Sequence, residues 1–144
     1  MKIIVISYSL TGNNEALAKS VAKELKAEHI KITEPKHRTI VTIIIDTLFN
    51  RTPQVNPSQI KTNKNELVIF VGPVWMGMVA TPFRAYFKQL REKLDKYAFV
   101  SISGGAIGNN PKLKDELEKR LSNKDIKTLT DTVLKTLREN IKNE

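Results

Sequence analysis

The alternation of two hydrophobic periods constrains this chain more than any single motif does. Residues 2–7 are apolar and mostly β-branched through Ile3, Ile4, Val5 and Ile6, the pattern of a strand covered on both faces. Over residues 15–27 the period changes. Leu17, Val21 and Leu25 recur at i, i+4 and i+8, with Ala18 and Ala22 beside them and Lys19, Lys23 and Lys26 off the stripe. That is one buried face of a helix. The exchange then repeats. Residues 29–33 alternate Ile30 and Ile32 against Lys31 as a second strand, and residues 67–71 are a wholly apolar third one. Residues 81–94 carry Phe83, Phe87, Leu90 and Leu94 on one helical face, with Pro82 suited to the first turn. A fourth strand at 97–102 precedes a helix from residue 111 with Leu113, Leu117 and Leu121. A short strand at 126–129 precedes a last helix at 131–142 with Leu134, Leu137 and Ile141.

One segment reads two ways. The isoleucine, valine and threonine of residues 38–49 favour a strand by propensity. Ile40, Ile43, Ile44 and Leu48, with Thr47 beside them, also fit a buried helical face. A helix is expected, because parallel strands need a crossover here. Residues 51–64, with Pro53 and Pro57, read as a surface connection.

Five strand–helix alternations predict an α/β fold: a parallel sheet with helices on both faces, joined by right-handed crossovers. No repeat or linker divides residues 1–144, so a single domain is expected. Ligands of such sheets sit beyond the carboxyl ends of the strands. Three strands end there in unusual loops: Ser9, Leu10, Thr11, Gly12, Asn13 and Asn14; Pro73, Val74, Trp75, Met76 and Gly77; and Ser103, Gly104 and Gly105. The first loop gathers hydroxyls, amides and a glycine where backbone N–H groups open onto a helix start, a seat for phosphate. A plain capped turn fits the same residues. Trp75, the only tryptophan, suits a flat ligand ring, or a half-buried packing role.

Composition removes several alternatives. With no cysteine, disulfides, thiolate catalysis and cysteine-bound metal are excluded, and no metal site is expected. No apolar stretch reaches the roughly 20 residues of a membrane span. The N-terminal apolar run is too short for a signal-peptide core, so a cytoplasmic protein is expected. The net charge of +9 raises nucleic acid as a partner. Yet the cations are dispersed among acids, as in Lys112, Lys114, Asp115 and Glu116, so nucleic acid is disfavoured.

The three loops together resemble the flavodoxins. Residues 9–14 match the family's Ser/Thr-x-Thr-Gly-x-Thr phosphate loop except at the last position, where Asn14 stands for threonine. Residues 73–77 look like the second flavin-contacting loop, and residues 103–105 are similar to the third loop of shorter flavodoxin-like proteins. The resemblance implies a doubly wound five-stranded sheet of order 2-1-3-4-5 and FMN as cofactor. It implies that residues 9–14 hold the phosphate with neutral donors, with Asn14 donating through its amide. It implies that Trp75 flanks the isoalloxazine and that Met76 or Gly77 presents backbone near flavin N5, where a glycine would ease a peptide flip.

The third loop departs from the long-studied flavodoxins, which place a tyrosine over the second flavin face; residues 103–110 hold no aromatic. An electron carrier serving redox proteins, acidic ones given the positive charge, is the first expectation, with no catalytic side chain. An FMN-dependent NAD(P)H:quinone-type oxidoreductase, with nicotinamide and quinone as small-molecule partners, and a flavin-free binding module stay open beside it. Other families of this architecture lack a required residue. A receiver domain needs acids where Ser7, Tyr8 and Ser9 stand, a small phosphatase needs a cysteine, and a dinucleotide fold needs more glycines than Gly12. His29 and His37 are expected in surface or linker roles.

Overall fold

The computed structural model describes residues 1–56, 60–63, 66–102 and 111–121. The third strand-end loop (Ser103, Gly104, Gly105) and the expected elements at 126–129 and 131–142 lie outside these residues. In chain order the described elements are β1 (Ile3–Ser7), α1 (Asn13–Glu24), β2 (Glu28–Lys31), α2 (Ile40–Leu48), β3 (Leu67–Val71), β4 (Val74–Trp75), β5 (Met78–Val79), α3 (Phe83–Leu90), β6 (Lys96–Val100) and α4 (Pro111–Leu121).

Strands β2, β1, β3 and β6 form one sheet in that order, parallel throughout, with Ile6 level with Ile30 and Phe70, and Phe70 level with Phe99. These are the first four places of the expected 2-1-3-4-5 order, in a doubly wound α/β fold. Both faces are covered, which is why the strands show no polar alternation. Ile4, Ile6, Val68, Phe70, Tyr97 and Phe99 join Phe83, Phe87 and Leu90 of α3 and Leu117 and Leu121 of α4. Val5, Ile69, Val71, Ala98 and Val100 lie in the other core layer, with Ala18, Val21 and Ala22 of α1.

The ends of α1 correct its expected stripe. Ala18, Val21 and Ala22 are buried, whereas Leu25 is 40% exposed. The helix closes early: Ala27 N–H bonds Ala22 O at 2.8 Å and Lys26 N–H bonds Lys23 O at 3.2 Å, with Lys26 at φ 49°. That double closure is a Schellman motif. It leaves Leu25 as the cap residue, turned off the stripe.

Segment 38–49 does form a helix, started by a capping box between Thr39 and Thr42. The expected face is largely turned outwards. Ile40, Ile44 and Leu48 are 75%, 42% and 63% exposed, as is Val41 at 64%, while Ile43 is half-buried and Thr47, beside them, is buried. Polar groups hold the inner side. Arg38 reaches Asp46 at 2.5 Å and also pairs with Glu34, and the Arg84 guanidinium of α3 donates to Asp46 O at 3.1 Å and Arg51 O at 2.8 Å. Helix α3 is shorter than expected, although Leu94 beyond its end is still buried.

Candidate functional site

At the carboxyl end of β1 the chain turns into α1 through Gly12, which caps the helix at φ 96°, a left-handed conformation that glycine adopts freely. The helical ladder begins with Ala16 N–H on Gly12 O at 3.0 Å. The N–H groups of Asn13, Asn14 and Glu15 therefore have no acceptor within the helix, and the helix dipole adds positive charge at the same point. Ser9 Oγ accepts from Gly12 N–H at 2.9 Å, which closes the loop. Thr11 and Asn13 are exposed.

Asn14 behaves differently from the expected phosphate donor. Its side chain is buried, and its amide pairs with one residue beyond β6: Nδ2 donates to Ile102 O at 3.1 Å, and Oδ1 accepts from Ile102 N–H at 2.9 Å. The amide mimics a neighbouring peptide and ties the first loop to the end of β6. Only its backbone N–H remains for a ligand.

Pro73, Val74 and Trp75 face this loop across a cleft of about 250 Å³. Leu10, Thr11, Asn13, Asn14 and Ile102 complete its described wall, none of them ionisable. Ser9, Gly12, Met76 and Gly77 lie outside this lining. Trp75 is half-buried and meets Tyr8 edge-on, with ring centroids 5.8 Å apart and planes at 88°. Tyr8 was not among the expected site residues. Its signal was its position, an aromatic one residue past the strand end. It is buried and donates to Glu34 Oε2 at 2.8 Å. Burial, reinforced by that carboxylate, raises the Tyr8 pKa, so the phenol stays a neutral donor. Glu34 in turn grips Arg38.

The second loop is a hairpin rather than an open connection. Val74 pairs with Val79 and Trp75 with Met78, leaving Met76 (φ 53°) and Gly77 (φ 79°) as a two-residue turn. Two positive φ values mark a type I′ turn. Turning over its central peptide leaves Met76 at positive φ but carries its ψ to about −120°, a region open in practice only to glycine. Gly77 alone therefore does not make the flip cheap, because the restriction sits at Met76. Glu116 of α4 holds the foot of the hairpin. It accepts from Val79 N–H at 2.8 Å and from Arg120 Nε at 2.9 Å, and lies 3.7 Å from Arg84 Nη2.

Two titrating groups flank the first loop. Lys19 at 2.8 Å and Lys31 at 2.6 Å bond Glu15 and hold its carboxyl at about 2. His29 bonds Ser7 Oγ at 2.8 Å, and burial lowers its pKa; it is a half-buried residue of edge strand β2, tied into the sheet. In both cases the unfolded chain takes up the proton first, so stability falls as pH falls. The His29 contribution should fade below about pH 6.5. The Glu15 contribution should be lost from about pH 4.5 to pH 2 and amount to about 1 kcal/mol after solvent screening. Urea midpoints followed from neutral pH downwards check this; a flat profile would show that neither pair matters.

No protein-family model and no curated protein matches the chain. Solved structures do. The chain is similar to a flavoprotein from Lactobacillus acidophilus NCFM in complex with FMN, at 20% identity and TM-score 0.67 over 83% of this chain and 85% of that one. The apo-form of the flavoprotein from the same organism, solved by NMR, gives 20% and 0.66 over 87% and 89%. A protein from Bacteroides uniformis ATCC 8492, assigned as a flavoprotein, gives 17% and 0.65 over 84% and 83%. The flavodoxin-like fold is thereby established.

Proposed function

We propose that the chain binds FMN in the cleft between residues 9–14 and Trp75 and passes electrons between redox partners. One observation carries this reading: a helix N-terminus and a tryptophan meet across an uncharged cleft at the carboxyl edge of the sheet. The fold is also that of a flavoprotein solved in complex with FMN. FMN, when bound, supplies the redox chemistry. The N–H groups of Asn13, Asn14 and Glu15, with the hydroxyls of Ser9 and Thr11, hold its phosphate by dipoles rather than by a lysine. Glu15 does not repel that phosphate strongly, because Lys19 and Lys31 already neutralise it. Trp75, braced by Tyr8, holds the ring. The charge of +9 favours acidic protein partners, and the lack of an aromatic among residues 103–110 suits a nicotinamide or a quinone as a small-molecule partner.

Titration of the purified protein with FMN tests this directly. Quenching of flavin fluorescence and a shifted visible spectrum are expected; neither appearing would refute FMN binding. Thr11→Val should weaken FMN about tenfold while sparing riboflavin, as the loss of one charge-assisted hydrogen bond requires. Equal losses for both ligands would place the phosphate elsewhere.

The Met76 turn favours a second reading, the two-electron nicotinamide–quinone oxidoreductase. With the Met76–Gly77 peptide costly to turn over, its carbonyl gives little support to a one-electron stage. Photoreduction of the wild-type complex should therefore pass directly to the fully reduced flavin. Met76→Gly should let a one-electron stage build up in the visible spectrum. Identical courses for both proteins would show that the turn does not control the electron count.

A further inference from the structure

We propose that the exposed face of α2 is a self-association surface, pairing with α2 of a second copy about a two-fold axis near Ile44. The helix is inverted relative to an ordinary surface helix. Its one charged residue, Asp46, is paired with Arg38 on the inner side. Ile40, Val41, Ile44 and Leu48 project outwards, and Phe49 extends the patch at 69% exposure. The described residues offer no cover for this face. Exposed apolar area of this kind, concentrated on one element, marks an interaction site rather than scattered surface.

Several features select a second copy as the occupant. Ile40, Ile44 and Leu48 are spaced one turn apart, so the row is nearly unchanged when the helix is reversed. An isologous interface needs that self-complementarity. Antiparallel pairing sets Ile44 against Ile44 and Ile40 against Leu48, interdigitates the i±4 ridges and aligns the two helix dipoles favourably. The surface is also preformed: the capping box fixes the start of α2, and Arg84 grips Asp46 O and Arg51 O near its end. Little ordering entropy then opposes association. The five side chains expose on the order of 500 Å² per copy, close to the lower limit of about 600 Å² per partner for a specific interface. The expected dimer is weak, of about micromolar affinity, because so few buried side chains leave little surplus over the cost of association.

The flanks set the salt response. Lys36 and Arg51 are exposed at the two ends of the stripe, and antiparallel pairing brings unlike ends, but like charges, together. Added salt should therefore tighten the dimer, whereas it would loosen binding to an anionic partner.

Sedimentation velocity of the full chain, over protein concentrations up to ~100 µM, tests the proposal. A concentration-dependent dimer is expected, strengthened by salt. Ile44→Lys sets two like charges against each other at the axis and should raise the dissociation constant about 100-fold with the melting temperature unchanged. Ile40→Glu and Leu48→Lys should each weaken the homodimer about tenfold, and mixing them should restore a heterodimer through the Glu–Lys pair. A wild-type chain that stays monomeric, or a mixture that fails to recover, overturns the proposal. So does a monomer that sediments with phosphatidylglycerol vesicles, which would assign the face to a lipid surface.

Discussion

Glu116→Ala is expected to cost the folded state about 3–5 kcal/mol, the range for removing one partner of a buried ion pair. The Arg84 side chain is fully buried and that of Glu116 is 8% exposed. Arg84 keeps its two backbone acceptors after the change, but its charge then faces Arg120 without a carboxylate between them. Burial, with Arg120 beside it, already lowers the Arg84 pKa, so loss of Glu116 presses in the same direction. The Val79 N–H loses its acceptor as well, which frees the foot of the hairpin that carries Trp75. Urea denaturation should show the loss in the midpoint. Arg84→Met combined with Glu116→Leu should recover much of it, because removing the pair whole leaves no uncompensated charge. A cost below about 1 kcal/mol would reduce Glu116 to an ordinary surface acid.

Trp75→Ala should weaken FMN binding by about 1–3 kcal/mol, roughly 5- to 150-fold, as expected from lost aromatic burial and stacking. The fold should suffer less, because Trp75 is half-buried at a hairpin, packed on the margin of the core with its ring edge-on to Tyr8. Trp75→Phe should retain most of the affinity, since a flat ring remains. Fluorescence titration of FMN measures both. Unchanged affinity in the alanine variant would leave Trp75 as a packing partner of Tyr8 and nothing more.

Much of the architecture is legible in the sequence because a doubly covered parallel sheet writes itself as apolar runs and helical stripes. The first two strand-end loops are legible as turns at the carboxyl edge of the sheet, since Gly12, Pro73 and Gly77 have few other uses. Helix α2 marks where that legibility stops. Periodicity shows that Ile40, Ile44 and Leu48 share a face, but not which way the face turns. The direction is set by Arg38, Asp46 and Arg84, and the last lies 38 residues from Asp46 in the chain. Asn14 shows the same limit within the site. Its residue type announces a hydrogen bond, but the partner, Ile102, is 88 residues away. The Met76 restriction needed the pairing of Trp75 with Met78, because only a closed hairpin makes Met76 the first residue of its turn.

The Asn14–Ile102 pairing also bears on how such a protein can be re-engineered. Both backbone groups of Ile102 are held by a side chain from the opposite wall of the cleft. The chain that follows therefore departs from a fixed mooring, whatever its own sequence. Replacement loops of other lengths could be grafted after Ile102 without disturbing the N–H groups at the start of α1. The start of α1 and the attachment point of the chain beyond Ile102 are in that sense separable, and one amide keeps them so.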